Sequence, residues 1–383
     1  MLRTLLFLTA FCILASGNAR AAVPIDEAGA ENIRTIVQTL LDRQKAVREL
    51  SGGALETKGV LTVEMARTYY AITLPHITLV DPAGRRAEIG MIALNATPAG
   101  QEGKWRLSIA LPTPMTWFDT EGNLSMRVHL GAQQLSGVWD EALETFSTLH
   151  AAYGNIKISS RDKTAVTLDN LRLDLDILSP AGADFALRAS FDGLKTNTAP
   201  EGQNPVFPAY MDIDIGLSNL PVAELTRLGR TTLQETMKGT ASAKQLAGLQ
   251  AMILLPQMLS QAGTKLAVNK LGFGNSVYKA FFEGDVTADA SSAIGAKGHL
   301  KGEMTNLDSL LSTLKQQEKY QTTFQKLLLI DALGQEDQNA KGEKIKRYDI
   351  ALNEDGSFSL NGNPLIGAPA EDTTTPRSNT PAP

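Results

Sequence analysis

The sequence predicts an α+β protein: an extended, curved, mainly antiparallel sheet, built as a meander of repeated hairpins, with helices packed on one face. Two observations predict this fold class. Apolar residues recur with a period of two through much of residues 54–220, and with a period near 3.6 in residues 27–50 and again after residue 221. Strands that alternate apolar and polar residues have one wet face, which is typical of antiparallel sheets rather than of buried parallel ones.

The composition is that of a globular protein and argues against nucleic-acid binding. The chain has 383 residues, of which 43% are hydrophobic and 20% are charged; this balance excludes a disordered acidic chain and a membrane bundle. Its 36 Lys and Arg residues against 41 Asp and Glu residues give a net charge of −5. Because proteins that bind nucleic acids neutralise phosphates with an excess of basic residues, we expect no nucleic-acid partner.

Residues 1–21 have the pattern of a secretory signal peptide. Arg3 provides the positive start, and residues 5–14 are an apolar run that is too short to span a bilayer. Ala19 and Ala21 supply the small residues of a cleavage site, so we expect cleavage between Ala21 and Ala22. The mature chain then has 362 residues, and the loss of two arginines changes its net charge from −5 to −7.

The compartment follows from the same segment. The single cysteine, Cys12, lies inside the predicted signal peptide, so the mature chain has no thiol for a disulfide, a metal site or a nucleophile. No later apolar run approaches the ~20 residues of a membrane-spanning helix, and we expect no transmembrane segment in the mature chain. A cleaved signal without a second anchor predicts export to the periplasm.

Two segments make up the N-terminal part of the predicted fold. Residues 22–53 contain an amphipathic helix with apolar residues at helical spacing over 27–50, ended by Gly52 and Gly53. Residues 54–220 are a strand-rich antiparallel region with turns of Gly, Pro and Asn. Its clearest alternating runs are residues 107–111, 124–130, 171–177, 185–191 and 211–217.

Residues 221–366 are predicted to mix helices and strands. One helix covers 221–228 and another 241–259, where Pro256 should kink or end it. Strands follow at 276–288 and 295–304.

The predicted C-terminal elements begin with a helix capped by Asn306 or Thr305. Leu307, Leu310, Leu311 and Leu314 form its first apolar stripe, and Phe324, Leu327 and Leu328 a second. The polar stretch 315–323 between them divides the helix, and Gly334 ends it. A hairpin with its turn at Asp355 and Gly356 closes the fold. Residues 367–383, rich in Pro and Thr, are predicted to be disordered.

Two acid pairs are the strongest candidates for chemistry. Asp174 and Asp176 lie on one strand face, as do Asp212 and Asp214, with about 6–7 Å between the members of a pair. Such spacing suits a carboxylate-dependent hydrolase or a hard cation such as calcium. The same alternation with Leu and Ile is also typical of a wet sheet face, and this is the interpretation that the pattern favours.

The remaining candidates do not add up to a site. The four histidines, His76, His129, His150 and His299, lack metal-ligand spacing, and the three tryptophans, Trp105, Trp117 and Trp139, are typical of core or edge packing. Gly272, Phe273 and Gly274 resemble the start of a dinucleotide fingerprint, but Val277 stands at its third glycine. We therefore predict no catalytic residue, no cofactor and no metal.

Several stretches have a familiar arrangement. They are residues 134–153, residues 168–220 with "LDNLRLDLDI" and "DIDIGLSNLP", and a C-terminal order that ends in "YDIALNEDGSFSLNGNPL". Over about residues 107–365 the chain resembles the YdgA-like family of bacterial envelope proteins and, more loosely, AsmA-type periplasmic proteins. The resemblance implies an envelope role connected with lipid traffic and offers no catalytic residues. A cleavable signal in place of a retained membrane anchor departs from that pattern.

The sequence therefore predicts a non-enzymatic protein of the cell envelope that binds a lipid or another hydrophobic ligand along an amphipathic sheet. Its expected partner is a lipid or an envelope protein. Two alternatives stay open: a structural or protein-interaction module without a ligand, and a hydrolase that uses the acid pairs.

Overall fold

The computed structural model describes residues 25–366, except 102, 144, 161–162, 180–182, 197–204, 230–253, 293–294 and 340–341. The described residues form an α+β structure on one antiparallel sheet of 22 strands, which confirms the predicted fold class. The predicted signal peptide, with its cleavage site at Ala19, Ala21 and Ala22, lies outside the described residues, as does the predicted disordered tail.

The helices lie at the start of the chain and at two insertions between strands. Their bounds are α1 Glu27–Leu50, α2 222–229, α3 254–262, α4 Leu307–Lys315 and α5 Gln321–Leu333, with a 3₁₀ turn at Glu318–Tyr320. The strands are β1 Ala54–Lys58, β2 Thr62–Met65, β3 Tyr70–Thr73, β4 His76–Val80, β5 Arg86–Gly90, β6 Ala93–Pro98, β7 Lys104–Ala110, β8 Met115–Phe118, β9 Leu124–His129, β10 Ala132–Asp140, β11 Thr145–Ser160, β12 Lys163–Ile177, β13 Phe185–Asp192, β14 Lys195–Thr196, β15 Tyr210–Ser218, β16 Lys265–Gly274, β17 Lys279–Ala288, β18 Ala296–Thr305, β19 Gln335–Gln338, β20 Lys344–Leu352, β21 Phe358–Leu360 and β22 Asn363–Ile366.

The sheet is a meander in which each long strand pairs with the next one along the chain. From β1 to β10 each long strand is bent, and its two arms have consecutive labels, so that β1 and β2 form the first long strand and β3 and β4 the second. The first arm of one long strand pairs with the second arm of the next: β1 pairs with β4 and β2 with β3, and in the same way β5 pairs with β8 and β6 with β7. The long strand β11 spans both arms because it pairs with β9 and with β10. Beyond it β12, β13, β15, β16, β17, β18 and β20 lie side by side.

Glycine and asparagine make the bends. Gly90 ends β5 with a φ of 97°, and Asn155 within β11 has a φ of 51°, a left-handed conformation that bulky residues rarely adopt. Gly131 separates β9 from β10, and a Cβ atom added there would lie 2.8 Å from the Cβ atom of Asn155. Residue 131 must therefore be glycine for the two strands to approach each other at the bend.

Helix α1 covers the apolar face of the bent part of the sheet. Its residues Ile33 and Leu41 are buried in one cluster with side chains from β1 to β11. The side chain of Asp26 caps the helix by accepting a hydrogen bond from the backbone N–H of Gly29 at 2.8 Å. The backbone N–H of Asp26 donates to the hydroxyl oxygen of Tyr70 at 2.9 Å. Tyr70 is completely buried, so these bonds fix the start of α1 to β3.

Helix α4 covers the same face at the other end of the sheet. Its four leucines recur at spacings of three, four and seven residues, and all four are buried. They form a second core with Ala280 of β17, Met304 of β18 and Tyr348 of β20. The structure thus has two cores on one sheet.

Several predicted boundaries are confirmed. Helix α1 occupies residues 27–50, the helical region after residue 305 is divided between Lys315 and Gln321, and Gly334 is the C-cap of α5. The closing hairpin of β20 and β21 has its turn at Asp355 and Gly356.

The predicted N-cap Asn306 is confirmed, although its side chain, at a φ of 59°, makes no capping bond. Other predictions were wrong in detail. Of the two alternatives for Pro256, an end of the helix is wrong, because residues 254–262 are helical. The kink stays a prediction, and the predicted start at 241 lies outside the described residues. Strand β16 was missed because a bulge between Val268 and Leu271 interrupts the alternation of apolar residues.

Candidate functional site: the central apolar face

The apolar face of the sheet continues between the two cores across β12, β13, β15 and β16. Residues that pair directly across antiparallel strands point to the same side of a sheet. Three cross-strand rows follow from the register: Leu171–Phe191–Met211–Phe273, Leu173–Ala189–Ile213–Leu271 and Leu175–Leu187–Ile215–Val268. We name these twelve residues the central apolar face.

The central apolar face is only half-buried. No residue of β13 or β15 is fully buried, and neither strand contributes to the N-terminal or the C-terminal core. Leu171 and Leu175 pack against the first core, and Phe273 packs against the second. The face therefore links the two cores without belonging fully to either.

The dimensions of this face suit a long apolar ligand. Four neighbouring strands span about 14 Å, and the five residues that the three rows cover along a strand span about 17 Å. Tyr153 of β11 lies at the border of the face opposite Leu171, and burial raises the pKa of its hydroxyl above the usual value.

The opposite face of the same strands carries the predicted acid pairs, each against a base on a neighbouring strand. Asp174 accepts from Nδ1 of His150 at 2.8 Å. The guanidinium of Arg188 lies 3.9 Å from Asp176 and 3.3 Å from Asp214.

Asp212 forms the fourth of these contacts, an ion pair with the ammonium of Lys270. The two acid pairs are thus parts of a cross-strand ladder of ion pairs and one histidine–carboxylate hydrogen bond on a partly exposed surface. This geometry agrees with the favoured interpretation as a wet sheet face. It does not present two free carboxylates to a common substrate or cation.

The other candidates lie apart from each other. His299 pairs with Asp349 on the charged side of β18 and β20, far along the sheet from His150. Within the part of the chain that the structure describes, no group of three or more His, Cys, Asp and Glu side chains could hold a metal ion. Trp105 and Trp139 are buried in the first core, and Trp117 packs against that core.

The glycine motif at residues 272–274 is explained by packing. It lies inside β16, and a Cβ atom on Gly274 would approach the backbone oxygen of Tyr278 to 2.4 Å. Gly274 therefore permits the tight connection to β17. The motif has no helix after it and provides no nucleotide site.

A groove of about 660 Å³ lies between α1 and the edge of the sheet at β1. Its lining includes Glu31, Arg34, Asp42 and Lys45, together with Val60. Glu31 and Arg34 pair with each other. This polar groove differs in chemistry from the central apolar face and has no cluster of groups that points to a reaction.

Comparisons with known proteins add no family to this description. No protein-family model matches the chain, and no curated protein matches its sequence. The resemblance to envelope proteins therefore stays a prediction. Among the described residues, no helix is both long enough and apolar enough to cross a membrane.

Sequence reasoning missed one exposed feature of the molecule. Leu328 was expected to join Phe324 and Leu327 in an inward stripe, but it is 46% exposed. The residues that follow it, Leu329 and Ile330, are also exposed. The signal that could have revealed this surface is the run of four consecutive apolar residues, since one side of a helix cannot bury all four.

Proposed function

We propose that this chain is an exported, non-enzymatic protein of the cell envelope that binds a lipid acyl chain, or a similar hydrophobic ligand, along its central apolar face. The observation that carries this proposal is the half-burial of three continuous apolar rows between two closed cores. A wide apolar surface of this kind normally marks a ligand or partner site. The predicted signal peptide supports export to the periplasm.

The magnitude of the burial is sufficient for reversible binding. Removing ~300 Å² of acyl surface from water contributes about 7 kcal/mol at 25 cal/mol per Å². The costs of association and of ordering the ligand reduce this figure by several kcal/mol. We therefore expect affinities near the micromolar range, which suit carriage of a ligand rather than its storage.

The test uses two alanines on β13 that lie on opposite faces of the sheet. Ala189 lies in the middle row, between Leu173 and Ile213. Ala186, opposite Gly216 and Asp176, lies on the charged face and is the matched control. The variants are Ala189→Trp and Ala186→Trp, and both residues are half-buried in the wild type.

Protein purified without detergent is examined by native mass spectrometry and by titration with a fluorescent fatty acid. We expect a bound lipid or saturable probe binding, which Ala189→Trp weakens at least tenfold because the indole occupies the ligand's place. Ala186→Trp should bind like the wild type. A lipid-free mass together with no probe binding overturns the proposal and favours the interaction module without a ligand.

A further inference from the structure

Helix α5 presents apolar side chains to solvent. None of its 13 residues is buried, although seven of them are Phe, Leu, Ile or Ala. The exposed fractions are 46% for Leu328, 62% for Leu329 and 37% for Ile330. We name these three residues the α5 patch.

The orientation of the α5 patch follows from what the helix packs on. Phe324 and Leu327, three residues apart, pack against the C-terminal core, as does Leu333. With 100° between successive residues, Leu329 lies about 170° around the helix from the direction midway between Phe324 and Leu327, whereas Leu333, at the C-terminal end, lies only about 40° from Leu329. Apolar side chains therefore lie on both sides of the helix, and the exposed ones are those of the α5 patch.

Three lysines precede the α5 patch along the chain. Lys315, Lys319 and Lys326 are all exposed, and no ion pair joins any of them to a carboxylate in the described part of the chain. Lys319 lies over the ring of Tyr320, with 4.9 Å between its ammonium and the ring centre. Residues 315–331 contain these three lysines and two acids, Glu318 and Asp331, so the segment carries +1 in a chain whose net charge is −5. Asp331 is paired with Lys346.

We propose that the α5 patch docks the protein on an anionic phospholipid surface. An interfacial helix inserts leucine and isoleucine at the boundary of headgroups and acyl chains, while lysines contact the negative headgroups. The exposed lysines favour this occupant over a second copy of the chain, because the same lysines of that copy would repel them. The inference goes beyond the proposed ligand binding, because α5 and the central apolar face are separate surfaces.

The test is sedimentation with vesicles of neutral phosphatidylcholine, and with vesicles that contain 30% phosphatidylglycerol. The full chain is used throughout, so residues 1–21 contribute equally to every variant. One variant is the double substitution Leu328→Gln and Leu329→Gln, with Leu178→Gln, another exposed leucine, as its control. The second is the triple Lys→Gln change at Lys315, Lys319 and Lys326, with a triple change at the exposed Lys45, Lys58 and Lys157 as its control.

We expect binding to the anionic vesicles that weakens with salt. Because a lysine near an anionic surface contributes about 1 kcal/mol, or roughly fivefold, the triple lysine variant should bind about a hundredfold more weakly. The double leucine variant should lose at least tenfold, and both controls should bind like the wild type.

Three results overturn the inference. They are equal binding to neutral and anionic vesicles, unchanged binding by both α5 variants, and a dimer of the wild type that the leucine variant disrupts without any vesicle binding. Circular dichroism of each variant verifies that it is folded. Loss of vesicle binding with normal binding of the fluorescent fatty acid separates failure at α5 from failure at the central apolar face.

Discussion

The N-terminal and the central parts of the sheet have the same alternation of residues but differ in what covers their apolar face. Around β3 the face is closed by α1, and Tyr70 is completely buried with its ring edge-on to Trp105 at 6.0 Å. Around β13 and β15 the same face is only half-buried. The difference shows that alternation determines which side of a strand is apolar, while the covering element determines whether that side is a core.

The bends explain part of this difference. From β1 to β10 each long strand is divided by a bend into two arms, and α1 contacts β1 and β2, the two arms of the first long strand. Strands β12, β13 and β15 pair with one another without a register shift. No described helix shares a buried cluster with β13 or β15.

The largest effect that separates the two parts is the cost of removing a leucine. Leu79 of β4 is 5% exposed in the first core, and Leu187 of β13 lies in the half-buried third row, between Leu175 and Ile215. We expect Leu79→Ala to lower the free energy of unfolding by about 3 kcal/mol, because it leaves a cavity, and Leu187→Ala by about 1 kcal/mol. Urea unfolding of both variants measures the difference.

Equal losses at Leu79 and Leu187 would contradict the comparison. They would mean that the central face is packed as tightly as the first core when the protein is in solution. An added lipid sharpens the test, because a ligand that binds only the folded state raises stability by mass action. That gain should be smaller in Leu187→Ala than in Leu79→Ala.

The covered C-terminal core should respond to alkaline pH. Burial, and secondarily the charge of Asp331, raises the pKa of Tyr348 to about 12. Because the unfolded tyrosine titrates near 10, the contribution of this group to stability is complete below pH 10 and is lost as the pH rises toward 12. Tyr348→Phe should remove that loss, which we expect to be about 2 kcal/mol.

The hydroxyl of Tyr348 has no hydrogen-bond partner among the described residues, so Tyr348→Phe should cost little at pH 7. Thermal unfolding of wild type and variant from pH 8 to pH 11.5 isolates this group, since the other tyrosines and lysines titrate in both proteins. Curves that stay parallel over the whole range would disprove the burial of Tyr348 in a closed core.

The fold was largely predictable from sequence because each strand pairs with its neighbour along the chain. Alternation in residues 171–177, 185–191 and 211–217 then indicates that each segment is a strand, which of its sides is apolar, and which strand it neighbours in the sheet. Prediction failed where one residue changes the period: the bulge in β16 placed Asn269 and Lys270 in succession and hid a strand of ten residues.

The candidate site was predictable in kind but not in extent. The alternation of apolar and polar residues indicates that a strand has an apolar face. The alternation is the same around Leu79, which is buried, and around Leu187, which is only half-buried. The elements that bury the apolar face of a strand are distant from it in sequence, as α1 is from β3, and no local pattern encodes that contact. The ion pairs of the acid residues were hidden for the same reason, because Asp212 and Lys270 lie 58 residues apart.

The smallest expected effect concerns the charged side of the central strands. Asp174, Asp176, Asp212 and Asp214 each contact a base on a partly exposed surface. Since exposed ion pairs contribute about 0.2–1 kcal/mol each, each single Asp→Asn change should lower the free energy of unfolding by no more than that amount, and the variant with all four changes should bind the fluorescent fatty acid like the wild type. An activity that vanishes in this variant while its stability holds would favour the hydrolase instead.

Salt provides the control for this prediction. In Asp214→Asn the carboxylate beside Arg188 is removed, so its stability should approach that of the wild type at 1 M salt, where exposed charges are screened. Asp192→Asn is the matched variant, because the carboxylate of Asp192 accepts a hydrogen bond from the amide of Asn170 at 2.9 Å rather than contacting a base. The difference in the free energy of unfolding between Asp192→Asn and the wild type should not change with salt. The contrary result is that the stability differences of Asp214→Asn and Asp192→Asn from the wild type change with salt in the same way. In that case the ladder of ion pairs does not stabilise the charged face, and the two faces of the central sheet differ only in their apolar contacts.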